Sequence, residues 1–226
     1  MNKFHLHVPP NRFGRDFIIG DLHGHLPALQ AALGVARFIP GRDRLFSVGD
    51  LIDRGPDSPG AVRLLQNNWF YAVRGNHEDM LLAALGGNNR QIIEVWRQNG
   101  GDWGLNGMEV NAAARDVAPL CAAMPWAITL HHKNGTRFGI CHAQCPVASW
   151  TEIESVEHDA NKRTQMLWAR DRVRRFDPPP VGGVDWTVHG HTIVTEPLRS
   201  ANALFIETGC CLSSGKLTLL CLDEFH

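Results

Sequence analysis

The sequence has no excess of basic residues. Lys and Arg number 22 and Asp and Glu number 23 in 226 residues, so the net charge is −1 with neutral histidines. A protein whose principal partner is nucleic acid normally carries a basic patch or stripe. The charge balance therefore argues against nucleic acid as a partner.

The chain also lacks any apolar run of the roughly 20 residues that a membrane-spanning helix requires. Its N-terminal segment, MNKFHLHVPPNRF, contains neither a long apolar core nor a small-residue cleavage site of the kind that secretory signals carry. We therefore expect no membrane partner and a cytoplasmic location.

Disulfide and structural-zinc signatures are missing as well. The six cysteines form no CxxC pair, which suits a reducing compartment where cysteines pack as small apolar groups. A zinc cluster of Cys141, His142 and Cys145 is rejected, because a structural site needs four ligands and no second cysteine pair has a fitting spacing. With 44% hydrophobic residues, we expect a single globular domain over residues 1–226.

Three apolar runs each end in a glycine that is followed at once by Asp or Asn. These residues are Asp21 in GDLHGH, Asp50 in VGDLIDRGPDS and Asn76 in VRGNHE. Open α/β sheets place their functional sites at the carboxyl ends of strands. Each of these Gly-Asp or Gly-Asn corners thus presents a candidate metal ligand at a strand end, where a functional site is expected.

Strands and helices alternate through the first half of the chain. We predict strands over 44–48 and 69–73. Helices are predicted over 26–38, 58–65, 77–85 and 90–98, and Ser58 is expected to cap the second of them. Parallel pairing with right-handed crossovers would bring the three corners to one edge of the sheet.

The second half has a different pattern. Two apolar runs, 127–131 and 137–141, flank Lys133, Asn134 and Gly135, which indicates a hairpin in a second sheet. Helices are predicted over 150–158 and 161–174, and strands over 185–189, 203–207 and 216–222. The stretch 99–125 is expected to pass over the sheet edge, with Trp96 and Trp103 as packing residues.

GDLHGH, GDLIDRG and RGNHE, in this order and spacing, resemble the PPP family of serine/threonine protein phosphatases within the metal-dependent phosphoesterases. The resemblance extends from Asp16 to about Leu222. It implies an α/β fold: a four-layer αββα sandwich of the metallophosphoesterase type, with two mixed β-sheets and a di-metal site at strand carboxyl ends.

The resemblance also implies a ligand set for two divalent ions. Asp21, His23 and Asp50 would hold one ion, and Asp50, Asn76, His142 and His191 the other, with Asp50 as the bridge. In HGHT the ligand is His191, directly after Gly190, whereas His189 is a neighbour; Ile193 stands where the wider superfamily often has another histidine. Carboxylate, imidazole and carboxamide ligands suit manganese, iron or zinc, and we expect manganese.

The implied mechanism is direct attack on phosphorus by a metal-bridging hydroxide. His77 would protonate the leaving alkoxide and Asp53 would orient it. Arg54, Arg74 and Arg170 would bind the phosphate oxygens. Arg170 lies in Trp168-Ala169-Arg170, which matches the WxR of related bacterial and bacteriophage phosphatases, although the neighbouring arginines are also typical of a solvated helix face.

The expected substrates are proteins or peptides carrying phosphoserine or phosphothreonine, with phosphotyrosine as an addition. Hydrolysis of dinucleoside polyphosphates is the alternative, but the relevant relatives typically lack the DR pair and the arginine before GNH. A non-catalytic scaffold is disfavoured by the intact set of Asp50, Asp53, Arg54, Asn76 and His77.

Four further histidines have no motif around them. His5 and His7 alternate on a possible first extended segment without an accompanying carboxylate, and we expect both at the surface. His131 and His132 are expected to be ordinary structural residues.

Overall fold

The computed structural model describes residues 3–86 and 89–225. Its strands are β1 His5–Val8, β2 Asp16–Ile19, β3 Arg44–Ser47, β4 Phe70–Ala72, β5 Leu105–Asn106, β6 Glu109–Val110, β7 Ala127–His131, β8 Arg137–Ile140, β9 Trp186–His189, β10 Leu198–Ser200, β11 Ala203–Phe205 and β12 Leu219–Cys221. Its α-helices are α1 Leu26–Val35, α2 Ser58–Arg63, α3 Asn76–Leu85, α4 Arg90–Gln98, α5 Ala112–Ala123, α6 Ala160–Trp168 and α7 Asp171–Arg174. The 3-10 helices are Leu64–Gln66, Gly101–Gly104, Trp150–His158 and Leu222–Glu224.

Most strands belong to two mixed sheets. The first has the strand order β1-β7-β8-β9-β11-β10, and the second has the order β12-β2-β3-β4. In the second sheet β2, β3 and β4 run parallel, whereas β12 pairs antiparallel with β2. The predicted hairpin is confirmed as the antiparallel pair of β7 and β8. The short strands β5 and β6 form a hairpin that the sequence did not predict.

Three apolar clusters show how the layers stack. Ile18 and Phe46 of the second sheet pack with Ile128 and Val188 of the first, so the two sheets lie face to face. The other face of each sheet is covered by helices. The four-layer αββα architecture is thereby confirmed.

Two local predictions differ from the structure. Helix α2 is capped by Asp57, whose carboxylate accepts a hydrogen bond from the Gly60 N–H, and Ser58 is the first helical residue instead. The predicted helix over 161–174 is divided into α6 and α7, because Ala169 is extended and Arg170 leaves helical geometry. Arg170 therefore lies at a corner rather than along a solvated helix face.

Within residues 3–86 and 89–225, no helix is both long enough and apolar enough to cross a membrane. Five residues lie outside the described ranges, namely Met1, Asn2, Gly87, Asn88 and His226. They include both ends of the predicted domain 1–226.

Candidate active site

The residues that follow the central strands meet in one buried cluster. Asn76 Oδ1 lies 2.8 Å from His142 Nε2 and 2.9 Å from His191 Nδ1. The His191 backbone N–H donates to both carboxylate oxygens of Asp21, at 3.2 and 3.1 Å. Both sheets thus contribute to a single site, as parallel strands that end at a common edge allow.

Asp50 lies at the centre of this cluster. Its Oδ2 atom is 3.3 Å from His142 Nε2, 3.8 Å from His77 Nε2 and 4.0 Å from His23 Nε2. Two groups of potential ligand atoms, each within 4.8 Å of one another, share Asp50: one with His23 and His77, the other with His142 and His191. This position is the one that a bridging carboxylate would occupy.

Backbone carbonyls orient the three histidines of the predicted ligand set. His23 Nδ1 is 2.8 Å from Ile52 O, His142 Nδ1 is 2.8 Å from Val48 O, and His191 Nε2 is 3.2 Å from Trp168 O. A carbonyl only accepts hydrogen bonds, so the hydrogen of each neutral ring is on that nitrogen. The other nitrogen keeps its lone pair for a metal. Burial lowers the pKa of both His23 and His191 to about 3, which keeps their rings neutral near pH 7.

The charge distribution also fits a pair of divalent cations. Asp21 and Asp50 are each only 2% exposed. Burial, followed by the nearby carboxylates of Glu207 and Asp50, raises the pKa of Asp21 well above its usual range. Cations held by Asp21, His23, Asp50, Asn76, His142 and His191 would offset this repulsion, and oxygen and nitrogen donors of this kind suit borderline divalent metals.

The backbone at the site is strained. Positive φ angles occur at His23 (45°), Asp50 (49°), Asp53 (72°), Arg54 (66°) and His191 (63°). Non-glycine residues seldom adopt this conformation, and it persists where the surrounding structure enforces it, commonly at functional sites.

Two glycines make room for the carboxylates. A Cβ atom on Gly75 would lie 2.1 Å from Asp50 Oδ1, and one on Gly190 would lie 2.0 Å from Asp21 Oδ1. No side chain fits at either position. The glycines that precede Asn76 and His191 are therefore steric requirements of the site.

His77 and Asp53 form the predicted dyad. His77 Nδ1 is 2.6 Å from Asp53 Oδ2, so it carries the shared hydrogen. His77 Nε2 is buried without a hydrogen-bond partner. Asp53 also accepts hydrogen bonds from the indole N–H groups of Trp96 at 2.9 Å and Trp103 at 2.7 Å. Both tryptophans, predicted only to pack, thus also hold the carboxylate of the dyad.

Two buried glutamates support the ligand loops. Glu78 accepts hydrogen bonds from the backbone N–H groups of Asp50, Leu51 and Gly75. Glu207 accepts one from the backbone of Asp21 at 3.0 Å. Glu78 is visible in the sequence as the last residue of RGNHE, whereas nothing in the sequence marks Glu207.

A cleft of about 320 Å³ opens over the cluster. Its lining includes Arg54, Arg170, Asn76, His77 and His191. Arg54 Nη1 is 3.0 Å from His23 Nε2, which places the guanidinium at the predicted metal position. Trp168 also lines the cleft, and its ring packs edge-on against His191.

Arg74 does not point at this cleft, and the prediction that it does is wrong. Its Nη2 atom donates to Ala122 O at 2.8 Å, and its guanidinium stacks over Trp126. Asp79 lies 3.9 Å from Nη1. These contacts hold the side chain in a different cavity, which is also lined by Lys3, Trp126 and Arg163.

His189 is a neighbour of the cluster rather than part of it. Its ring is fully buried, with Nδ1 3.0 Å from Cys141 O and Nε2 3.0 Å from Thr187 Oγ1. Among the described residues, Cys141 and Cys145 join no group of potential metal ligands.

The four-layer αββα fold, together with the Asp50 carboxylate that belongs to both groups of potential metal ligands, defines a metal-dependent phosphoesterase. The chain belongs to the calcineurin-like phosphoesterase family, which matches residues 17–195. Serine/threonine-protein phosphatase 1 of Salmonella typhimurium is 37% identical over 204 residues, covering 90% of this chain and 89% of that protein.

A symmetrical bis(5'-nucleosyl)-tetraphosphatase of Pseudomonas fluorescens is 31% identical, over 90% of this chain and 68% of that protein. Among solved structures, a protein serine/threonine phosphatase from Saccharomyces cerevisiae superposes with a TM-score of 0.59 at 14% identity, covering 91% of this chain and 70% of that one. This last similarity concerns the fold alone.

Proposed function

We propose that the protein is a metal-dependent phosphoprotein phosphatase that hydrolyses phosphoserine and phosphothreonine, and in addition phosphotyrosine. The observation that carries the proposal is the placement of His77 in the same cleft as Arg54 and Arg170. One unpartnered imidazole nitrogen and two guanidinium groups suit a terminal phosphate and its leaving oxygen.

Two divalent cations, which we propose to be manganese, would be held by Asp21, His23, Asp50, Asn76, His142 and His191. When bound, they would supply Lewis-acid charge and lower the pKa of a coordinated water, which is the chemistry that direct attack on phosphorus requires. The carbonyl-bound histidines and the buried Asp50 fix the positions of the donors before substrate arrives.

The protein's own groups perform the remaining steps. Arg54 and Arg170 bind phosphate oxygens, and their hydrogen bonds strengthen as charge spreads in the transition state. His77 transfers the proton on Nε2 to the departing serine or threonine oxygen, while Asp53 stabilises the charged ring through Nδ1.

Hydrolysis of dinucleoside polyphosphates is the second candidate, because the chain is also similar to the symmetrical tetraphosphatase of Pseudomonas fluorescens. A dinucleotide presents an internal, less charged phosphate and needs room for a base on each side. Arg54 and Arg170 favour a terminal dianion instead. The orientation of Arg74 removes one of the three residues, Asp53, Arg54 and Arg74, on which the sequence-based choice depended.

Specificity constants distinguish the two candidates. We expect kcat/KM of the manganese-loaded protein to be higher for phosphoserine and phosphothreonine peptides than for diadenosine tetraphosphate. A much higher value for the dinucleotide than for every phosphopeptide tested would reject the proposal in favour of the second candidate. The implied partners are phosphorylated proteins or peptides, and the cytoplasmic location stays a prediction.

A further inference from the structure

A further group of potential metal ligands lies on the outer face of the six-stranded sheet. It consists of His5 and His7 on β1 and Glu154 on the 3-10 helix Trp150–His158. The intervening Leu6 and Val8 face the core between the two sheets, so the two histidines point the other way. The group shares no residue with the active-site cleft.

The expectation that no carboxylate accompanies the two histidines is wrong. Glu154 is far from them in sequence, but the helix that carries it lies beside β1, where the Trp150 ring is 6.1 Å from the His5 ring. His5 Nδ1 is 3.4 Å from Glu154 Oε1, and the three potential ligand atoms all lie within 4.8 Å of one another. Neighbouring ligands around a tetrahedral zinc ion, with bonds of about 2.0–2.2 Å, are roughly 3.3–3.6 Å apart.

The His5 ring has an unused nitrogen inside this group. Its side chain is only 5% exposed, and Nδ1 is buried without a hydrogen-bond partner, although Glu154 Oε1 lies 3.4 Å away. An orphaned buried polar atom of this kind is costly unless something binds it.

The other ring nitrogen of His5, Nε2, contacts a threonine hydroxyl. His5 Nε2 is 2.7 Å from Thr129 Oγ1, and this hydroxyl accepts a hydrogen bond from Trp150 Nε1 at 2.7 Å. A second lone pair of the hydroxyl can accept a hydrogen bond from His5 Nε2. With the hydrogen on Nε2, Nδ1 offers its lone pair toward His7 and Glu154. Metal-ligating histidines are commonly oriented by such a contact on the second nitrogen. Burial, followed by the nearby His7, lowers the pKa of His5 to about 4, so the ring is neutral near pH 7.

We propose that His5, His7 and Glu154 bind one zinc ion that joins the edge strand β1 to the helix Trp150–His158. Two imidazoles and one carboxylate form a ligand set typical of zinc, with a fourth position open to water. That position faces a cavity of about 310 Å³ that all three residues line. Zinc bound there would stabilise the folded protein by holding together two elements that are distant in sequence.

The test is a comparison of zinc content in the full-length protein. After dialysis against micromolar free zinc, the double variant His7→Gln/Glu154→Gln should retain one zinc ion fewer per chain than the wild type. His7 and Glu154 are both exposed, so the variant should fold. His158→Gln, an exposed histidine on the same helix, is the matched control and should retain the wild-type content. Equal zinc content in the wild type and the double variant would overturn the proposal.

Two further measurements locate the ion. Thr129→Val removes the hydroxyl that contacts His5 Nε2 and should weaken zinc binding at this site by about 10 to 100-fold. Anomalous diffraction from zinc-soaked crystals should show a peak bounded by His5 Nδ1, His7 and Glu154, and its absence would also overturn the proposal. Neither measurement depends on turnover, so failure of the phosphatase proposal would leave both results interpretable.

Discussion

Asp53 accepts a hydrogen bond of 2.6 Å from His77 Nδ1, in a pocket where both side chains are almost completely buried. The two indole N–H groups that also donate to Asp53 hold its carboxylate in place. His77 can therefore offer only Nε2 to a substrate. In the proposed mechanism the dyad is a directed proton donor, and this role can be measured on substrates that differ in leaving group.

His77→Asn should lower kcat by on the order of 100-fold or more for alkyl phosphates such as phosphoserine peptides. The loss should be smaller for aryl phosphates, whose leaving groups need little protonation. Metal content should be unchanged. Steady-state kinetics on both substrate types, with metal analysis of the same samples, provides the measurement. Equal losses on both types would show that His77 is not the acid.

Trp103→Phe tests the support of the dyad. The substitution removes a hydrogen bond to a carboxylate, which contributes about 1.5 kcal/mol or more, so kcat for alkyl phosphates should fall about tenfold. The loss for aryl phosphates should again be smaller. Trp186→Phe, on β9 and outside the cleft, serves as control. If Trp103→Phe affected both substrate types equally, a role through Asp53 would be refuted.

The residues alone predicted the parallel strand-helix units of the first half and the meeting of Asp21, Asp50 and Asn76, because both depend on local signals, whereas the four-layer αββα architecture came from the family resemblance. Apolar runs that end in Gly-Asp or Gly-Asn give strand ends, and strand and helix alternation gives parallel pairing. Asp21, Asp50 and Asn76 then meet without any long-range information. His142 and His191 needed the family resemblance, since neither lies in the alternating half of the chain.

The errors at the site share one physical cause, which is contact between residues distant in sequence, whereas the errors at the ends of α2 and α6 are local. Arg74 precedes the ligand Asn76 by two positions, yet Ala122 and Trp126 from a later segment set its direction. The bond between Trp103 and Asp53 likewise depends on how the irregular stretch after α4 folds back over the site. Periodicity describes the face of an element but not the loop that will cover it.

Asp50→Asn should lose most of the bound metal and most of the turnover. The amide keeps the shape of the side chain but removes the negative charge shared by two cations, which then face each other with less compensation. Metal content after gel filtration and kcat are the two readouts. Asp57→Asn, in the same loop and still able to cap α2, is the matched control and should behave as the wild type. Normal metal content in Asp50→Asn would refute the bridge.

The two histidines of HGHT should respond differently to substitution. His191→Ala removes a nitrogen that lies 2.9 Å from Asn76 Oδ1 and should lower occupancy of the second ion and collapse turnover. His189→Ala leaves a buried cavity, so its melting temperature should fall while its metal content stays near that of the wild type. Metal analysis and thermal unfolding of both variants separate the two effects. The opposite ranking in metal content would mean that His189 is the ligand.

The arginines provide a test in which the structure and the sequence disagree. Arg54 and Arg170 line the cleft, whereas Arg74 is turned away and bound to Ala122 O. Arg54→Ala and Arg170→Ala should each lower kcat/KM for phosphopeptides by about 10 to 100-fold, because each removes a charge-assisted contact of roughly 1.5–3 kcal/mol with phosphate. Arg74→Ala should instead lower the melting temperature, since its guanidinium stacks on Trp126.

Inorganic phosphate, a product of the reaction, adds an equilibrium measurement to these kinetics. Its inhibition constant should rise in the Arg54 and Arg170 variants and stay near the wild-type value in the Arg74 variant, because inhibition depends on binding to the same cleft. Arg54→Lys should recover only part of the loss, as an ammonium group lacks the planar pair of donors that matches two phosphate oxygens. If Arg74→Ala weakened phosphate inhibition as much as Arg54→Ala, the guanidinium of Arg74 would have to swing into the cleft when substrate binds, and the original sequence-based assignment would be correct.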